Sequence, residues 1–594
     1  MNSEFETKDS PGSDPKDEQT FAPYTGGEVI PPSPAVPPPP RKILPLVIGG
    51  LIILLVAIGV VVAAILLTRK DTAIAAVPAD APLYVGVNLL ELTPQKMDRL
   101  LKPLLGDTRT ADFKDADSMF TDLESTMLRD YGVSFKEDVR SWLGQYIGIS
   151  LGGDFSDLML SSDTLYFTMI AETRNKSAAD AFLEKLRLGL EEKQGYIFDT
   201  QDYQGITVYA SPEYDLAFAR SKGLVLFSNQ VEGIQTAIDT QQGESLAKNA
   251  DYQRLIKQLP GKRAVTFYVG GEQYMQLLSQ MGGSGLTGGA SLMGSNQLSA
   301  AAKGFAGSLA ITDDGLRMDV LALHDPEKMT EAYRTYLANA SQTARVAEVL
   351  PAETMLMFAG YGLNDYMRLV EESMSEEIAA DYAESMTMLE QELGFSLKAD
   401  LLAYLDQEYG MAVLPDKEGI LSTLTSLPLN LLLFTHHNNQ DMLAVTMEKL
   451  SVKVEEMGLT VTPSDEGENH YYIAGDPYSG DILTAGLGKA YLALSLSRTA
   501  VDSVLNPIET LAGKAEYQEV WSHFPKGITP NLYFEFANLV FYLKENVPEL
   551  ASDSSNDVWS VLEAIPHIVS GNLPVKDDTA HSITIIFVES LPEE

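Results

Sequence analysis

Gly132-Val133-Ser134-Phe135-Lys136-Glu137-Asp138-Val139-Arg140-Ser141-Trp142-Leu143 returns further along the chain as Gly394-Phe395-Ser396-Leu397-Lys398-Ala399-Asp400-Leu401-Leu402-Ala403-Tyr404-Leu405. Outward from this pair, the whole chain after Lys70 reads twice in the same order, at an offset drifting between about 262 and 273 residues. Val77-Pro78-Ala79-Asp80, with the strand-like run Leu83 to Val87, returns as Leu350-Pro351-Ala352-Glu353 with Met355 to Ala359. The strand Leu165 to Ile170 and a helix carrying Ala179, Phe182, Leu183, Leu186 and Leu190 return as Leu431 to Thr435 and a helix carrying Leu443, Met447, Leu450 and Val454. That helical spacing marks one buried face. Ile234 and Ile238 answer to Val501 and Leu505. Tyr252-Gln253 and Pro260 answer to Tyr517-Gln518 and Pro525, each leading into a strand, Val265 to Val269 and Leu532 to Phe536.

These ordered matches predict an internal duplication: a first lobe over 73–330, a helical connector over 331–344 and a second lobe over 345–594. Strands come as hairpins, as in Phe305 to Thr312, the turn Asp313-Asp314-Gly315, then Leu316 to Leu323. Adjacent hairpins mixed with separate helices predict an α+β fold, each lobe mainly antiparallel sheet with packed helices, because a parallel sheet would alternate strand and helix strictly. Two such lobes are expected to pack about a pseudo-twofold axis with a cleft between them.

Ahead of the repeat, Ile43 to Leu67 carries no charge and is bounded by Arg41-Lys42 and Arg69-Lys70. About 20 apolar residues cross a hydrocarbon core, so the sequence predicts one transmembrane helix over 43–68 and membrane as a partner. The acidic segment before it is too long for a signal-peptide n-region. Residues 1–42 end in Pro37-Pro38-Pro39-Pro40 and are expected to be a disordered proline-rich tail. The flanking basic pairs balance, so charge does not decide the orientation.

The net charge of -41, from 83 acidic against 42 basic residues, excludes a nucleic-acid partner, since phosphates are bound by clustered Lys and Arg and no basic stripe is present. With no cysteine, disulfides, thiolate zinc sites and cysteine nucleophiles drop out together. The glycine run Gly282 to Gly289 contains a formal GxGxxG, yet a helix precedes it and no acid follows at the required distance, so no nucleotide cofactor is expected. Asp112, Asp115, Asp117, Asp122 and Glu124 lack the calcium-loop spacing and read as the start and solvated face of an amphipathic helix. Ser134 and Glu137 fit a capping box. No nucleophile elbow, P-loop or HExxH is present. The one candidate for metal chemistry is the pair His436 and His437, adjacent imidazoles where a strand gives way to a helix.

Val77-Pro78-Ala79-Asp80-Ala81-Pro82-Leu83-Tyr84-Val85 and the Gly-x-Ser-x-x-x-Asp-Val-x-x-Trp-Leu-Gly run from Gly132 to Gly144 resemble a bacterial family known as domain of unknown function 3352. The resemblance covers most of 73–594, and the second lobe departs from it at Asp406, where the first has Gly144. It implies a single N-terminal anchor with the tail cytoplasmic and the lobes outside the cell, and it brings no catalytic residues. The resulting expectation is a non-catalytic cell-envelope protein that binds or scaffolds, with no cofactor. The alternatives are a metal-assisted hydrolase at His436 and His437, or a surface-assembly or adhesion protein.

Overall fold

The hairpin around Asp313-Asp314-Gly315 forms, with Gly315 at φ +139. A side chain at Gly315 would lie 2.2 Å from the carbonyl oxygen of Ile586, more than two hundred residues away. That close approach marks how the two halves meet. The computed structural model describes residues 71–589 except 106–112, 154–164, 272–300, 340, 343, 375, 417–426, 477–479 and 548–555.

The first half contributes β1 (Leu83–Asn88), β2 (Leu143–Gly153), β3 (Leu165–Thr173), β4 (Asp199–Tyr203), β5 (Ile206–Ser211), β6 (Leu216–Ser221), β7 (Leu224–Ser228), β8 (Val265–Gly270), β9 (Ala302–Ile311) and β10 (Gly315–His324). The second contributes β11 (Leu356–Tyr361), β12 (Glu408–Pro415), β13 (Leu429–His436), β14 (Thr460–Glu466), β15 (Asn469–Asp476), β16 (Gly480–Leu487), β17 (Tyr491–Ser495), β18 (Thr529–Glu535), β19 (His567–Lys576) and β20 (Thr579–Phe587). All pairings are antiparallel. In space the order is 4-5-6-7-3-2-1-8-9-10 and then 20-19-18-11-12-13-17-16-15-14. Each half therefore repeats the other strand for strand, and the two run outward from a seam between β10 and β20. At that seam Asp319 lies opposite Ile583. The turns Asp313-Asp314 and Asp577-Asp578 stand in corresponding places, so these two residues are counterparts in the repeat and sit on its pseudo-twofold axis.

The α+β character with antiparallel strands is as the sequence predicts, but the picture of two separate sheets with a cleft between them is corrected. One continuous sheet of 20 strands runs through both halves. The physical reason is that β10 and β20 would each end a sheet with a row of unpaired N–H and C=O groups, and pairing them satisfies both rows at once. The outer ends are protected differently. β4 carries Asp199 and Asp202 on an exposed strand, and β14 carries Pro463, Asp465 and Glu466, features that oppose pairing with another chain.

Period-two alternation splits the side chains of the first half between two cores. On β3, Met169 joins Trp142, Phe182, Leu186 and Phe227 under the helices Ala116–Thr126 and Lys176–Gln194. Its neighbour Ile170 joins Leu226, Ile234, Ile238 and Leu255 under the helices Val231–Thr240 and Ala250–Ile256. Full burial of such side chains contributes roughly 1.5–3 kcal/mol each. The second half repeats the latter core around Leu432, Val501, Tyr517 and Tyr533, while its counterpart on the other face is reduced to Leu405, Leu443 and Leu487 with a few partly buried neighbours.

The Ser134 cap forms, with a different acid closing it. Ser134 Oγ accepts from the Glu137 N–H at 3.1 Å, but the Ser134 N–H donates to Asp138 at 2.7 Å. Ser396 and Asp400 repeat this at 2.9 Å. The turn is a π-helical one in both halves, which shifts the closing acid one position along and explains why Ala399 can stand in the place of Glu137. Asp115 caps its own helix through the Ser118 N–H at 2.7 Å.

The expected transmembrane helix is also corrected. Among the described residues no helix is long and apolar enough to cross a membrane. The longest, Lys176–Gln194, is amphipathic, with one face in the core and charged residues on the other. The stretch 43–68 on which the prediction rests lies outside the described residues, as do the tail 1–42, the glycine run and Asp112. The single-pass topology, the membrane as partner and the localisation with cytoplasmic tail and external lobes lose their structural basis with that helix.

Candidate functional site

The repeated Pro-Ala-acid motif leads to the same place in each half. Pro78 and Pro351 make equivalent isolated bridges, to Ser245 and Thr510, and these pin the motif beside the sheet. The acids that follow, Asp80 and Glu353, stand exposed at the rims of two cavities of ≈ 250 Å³ and ≈ 360 Å³. Behind each rim lie the ends of β2 and β3, or of β12 and β13, and the first turns of the helix Val231–Thr240 or Arg498–Leu505. Tyr166 corresponds to Asn430, Gly233 to Ala500 and Thr236 to Ser503.

Glycines open the first cavity. A side chain on Gly233 would lie 2.3 Å from Ser228 Oγ and 2.7 Å from Thr168 Oγ1, so the absence of a Cβ lets the helix settle onto β3 and β7. The Tyr166 ring lies over Gly152, where a Cβ would be 2.5 Å from it. Tyr166 Oη donates to Thr236 Oγ1 at 3.3 Å. Thr168 is 2% exposed, lines the cavity, and its Oγ1 has no hydrogen-bond partner. Among the described residues the wall thus combines Ser150, Thr168, Thr236 and the Tyr166 ring with backbone and small apolar side chains such as Ala76, Pro82 and Leu151.

The second cavity has charged walls. Asp416, Asp481 and Arg498 line it. Asn430 Nδ2 donates to Asp416 at 3.0 Å while its Oδ1 accepts from Ser495 Oγ at 2.9 Å. The Arg498 guanidinium pairs with Glu466 and lies 4.1 Å above the Tyr471 ring.

His436 and His437 lie elsewhere, at the opposite end of β13. Their rings are 6.4 Å apart and tilted by 35°. His436 Nδ1 meets Asp406 at 3.2 Å, and the other oxygen of Asp406 accepts from Asn438 at 3.0 Å. His437 is buried and its Nε2 donates to the Gly488 carbonyl at 2.8 Å, leaving Nδ1 buried without a partner. Burial pushes its pKa down, only partly offset by the Gly488 carbonyl, so the ring is neutral at pH 7. The two histidines are near each other in space, but among the described residues no three His, Asp or Glu side chains are placed to hold a metal.

The paired cavities were not singled out by sequence reasoning. The available signal was the recurrence of Pro-Ala-acid together with glycines inside elements, Gly152 on a strand and Gly233 in a helix, where glycine weakens the element unless close approach requires it.

Fold and site together define a duplicated α+β protein with a pocket at equivalent places in its two halves. The chain belongs to the family described as protein of unknown function (DUF3352), whose model matches residues 46–568. No curated protein matches it. Among solved structures, crystal forms I and III of TP0453 are similar at 8% and 7% identity, each with a TM-score of 0.24, covering 46% of this chain and 85% and 87% of theirs. A likeness at that score carries no functional inference.

Proposed function

We propose that this protein works by binding, without catalysis, and that its two halves each present a pocket for a small ligand. The observation behind this reading is that the acid of the repeated Pro-Ala-acid motif stands at the rim of a cavity in both halves. Duplication that keeps hydroxyls in both pockets but adds Asp416, Asp481 and Arg498 in the second suits two ligands or two parts of one ligand held on a single sheet.

The test is a ligand-observed NMR screen of the full-length chain against neutral, anionic and cationic metabolite-sized compounds, repeated on Thr236→Trp, Ser503→Trp and the double variant. These equivalent positions line the two cavities. Each single substitution is expected to remove the hits of its own pocket, and the double variant to remove all of them. Hits that persist in the double variant, an absence of hits in the wild type, or chemical conversion of a bound compound would each overturn the proposal.

A further inference from the structure

We propose that the second half carries a further binding site, a cavity of ≈ 420 Å³ between the β14–β15 turn, the β16–β17 turn and the end of the helix Arg498–Leu505, and that it takes a small zwitterion of the amino-acid type, its ammonium on Asn469 and Glu468 and its carboxylate on Lys489. Asn469 lines this cavity and is 8% exposed. A relay behind it fixes which way its amide points. Asp502 can only accept, and Asn506 Nδ2 donates to it at 2.7 Å. The Asn506 oxygen therefore faces Asn469, whose Nδ2 donates to it at 3.1 Å. Asn469 Oδ1 is left as an acceptor that no donor among the described residues fills, beside Gly488, where a Cβ would lie 3.0 Å from it. Gly488 also lines the cavity, and its missing side chain keeps that oxygen open to a ligand.

The first half shows what the oxygen lacks. Tyr203 pairs with Ile206 as Glu466 does with Asn469, so Tyr203 and Gln204 correspond to Glu466 and Gly467, and Asp239 to Asn506. There the chain supplies its own donors: Tyr203 Oη and Gln204 Nε2 reach Asp239 at 2.8 and 2.5 Å. With Gly467 in place of Gln204, the second half has no side chain to put into that space. Glu466 instead pairs with Arg498, which stacks on Tyr471 and holds the turn in place. Glu468 and Lys489 line the cavity from its two turns, and among the described residues neither makes an ion pair. A buried acceptor next to a carboxylate suits an ammonium, whose hydrogen bonds are charge-assisted, and the ammonium of Lys489 suits a carboxylate. Val349, Val504, Leu505 and Pro507 give the ligand's hydrocarbon an apolar floor, and the volume lies in the range of small-molecule sites.

The experiment follows saturation-transfer NMR of the full-length chain with L-leucine, 3-methylbutylamine and 4-methylpentanoate, which share one hydrocarbon and carry both charges, the ammonium alone or the carboxylate alone. Leucine is expected to bind at millimolar concentration or below, at least tenfold tighter than either analogue. Asn469→Leu, its folding checked by the unfolding temperature, should weaken leucine roughly tenfold, and Lys489→Gln should weaken leucine but not the amine. Gly467→Gln puts back the side chain of the first half, at a φ of +66 that matches +54 at Gln204 and where a Cβ meets nothing within 4 Å, and should abolish binding in a folded protein. No leucine binding, leucine binding that folded Asn469→Leu or Gly467→Gln leaves intact, or an analogue that binds as tightly as leucine would each overturn this site. A ligand retained by the Thr236→Trp, Ser503→Trp double variant and lost in Gly467→Gln belongs here and does not count against the paired cavities, so the two proposals fail separately.

Discussion

Asp319 and His581 are joined across the seam between the two halves: His581 Nε2 donates to the wholly buried Asp319 carboxylate at 2.9 Å. Arg317 holds the same carboxylate through two hydrogen bonds of 2.8 and 2.9 Å. Burial alone would raise the Asp319 pKa, but His581 and Arg317 outweigh it and hold the carboxyl below the usual range. Its contribution to stability is therefore present above the unfolded carboxyl value, about 3.9, and is lost as pH falls through the depressed folded value. Asp319→Ala is expected to lower the unfolding free energy by about 3 kcal/mol at pH 7, the scale for breaking a buried charged pair, as read from urea titration. Asp319→Leu with Arg317→Met should recover most of that loss.

His324 provides a second pH dependence. Its Nδ1 accepts from Tyr333 at 3.0 Å, and burial lowers its pKa to about 4. The unfolded chain protonates near 6.5 while the folded one resists, so stability is full above that value and falls as pH drops from 6.5 towards 4. The loss should reach roughly 3 kcal/mol. In the pair His324→Phe with Tyr333→Phe, that slope between pH 6.5 and 4 should disappear.

Asp71 has the opposite sign. Burial pushes its carboxyl up to about 6, against hydrogen bonds from Tyr84 and from the Ile74 and Ala73 N–H groups. A raised acid stabilises fully below its unfolded value, and that contribution is lost as pH rises from about 3.8 through 6. Asp71→Asn is expected to stabilise the protein at pH 7.5 by the order of 1 kcal/mol, since Asp71 keeps some contact with solvent, and to change nothing below pH 4. Calorimetric scans at the two pH values check this.

Gly315 and Gly205 both adopt positive φ, at +139 and +78. A side chain at Gly205 meets nothing within 4 Å, whereas one at Gly315 meets the Ile586 carbonyl of the seam. Gly205→Ala should cost about 1 kcal/mol of backbone strain. Gly315→Ala adds a collision with the backbone of β20 and should cost about 3 kcal/mol or more, with loss of protection localised to β10 and β20.

Much of this architecture is legible in the chain. Leu83 to Val87, Leu165 to Ile170 and Val265 to Val269 form β1, β3 and β8, and the Asp313-Asp314-Gly315 turn makes its hairpin, because alternation and turn chemistry are local. The seam is not legible, since nothing local says that β10 will pair with β20, bringing together residues 262 apart in sequence such as Asp319 and His581. The closing acid at Asp138 was hidden by the π-helical turn, which breaks the spacing that a capping box assumes. The pockets were hidden because Thr168, Gly233 and Asp80 come from three distant segments, and only the fold brings them to one cavity.

Hydrogen exchange of the β10 and β20 amides, measured with those of the outer strands β4 and β14, tests most directly whether both halves and both pockets ride on one continuous sheet. Slow exchange at Met318, Val320, Thr584 and Ile586, comparable with interior strands such as β1 and β2, is the predicted result. Exchange there as fast as on β4 and β14 would show that β10 and β20 are free edges and would contradict the account.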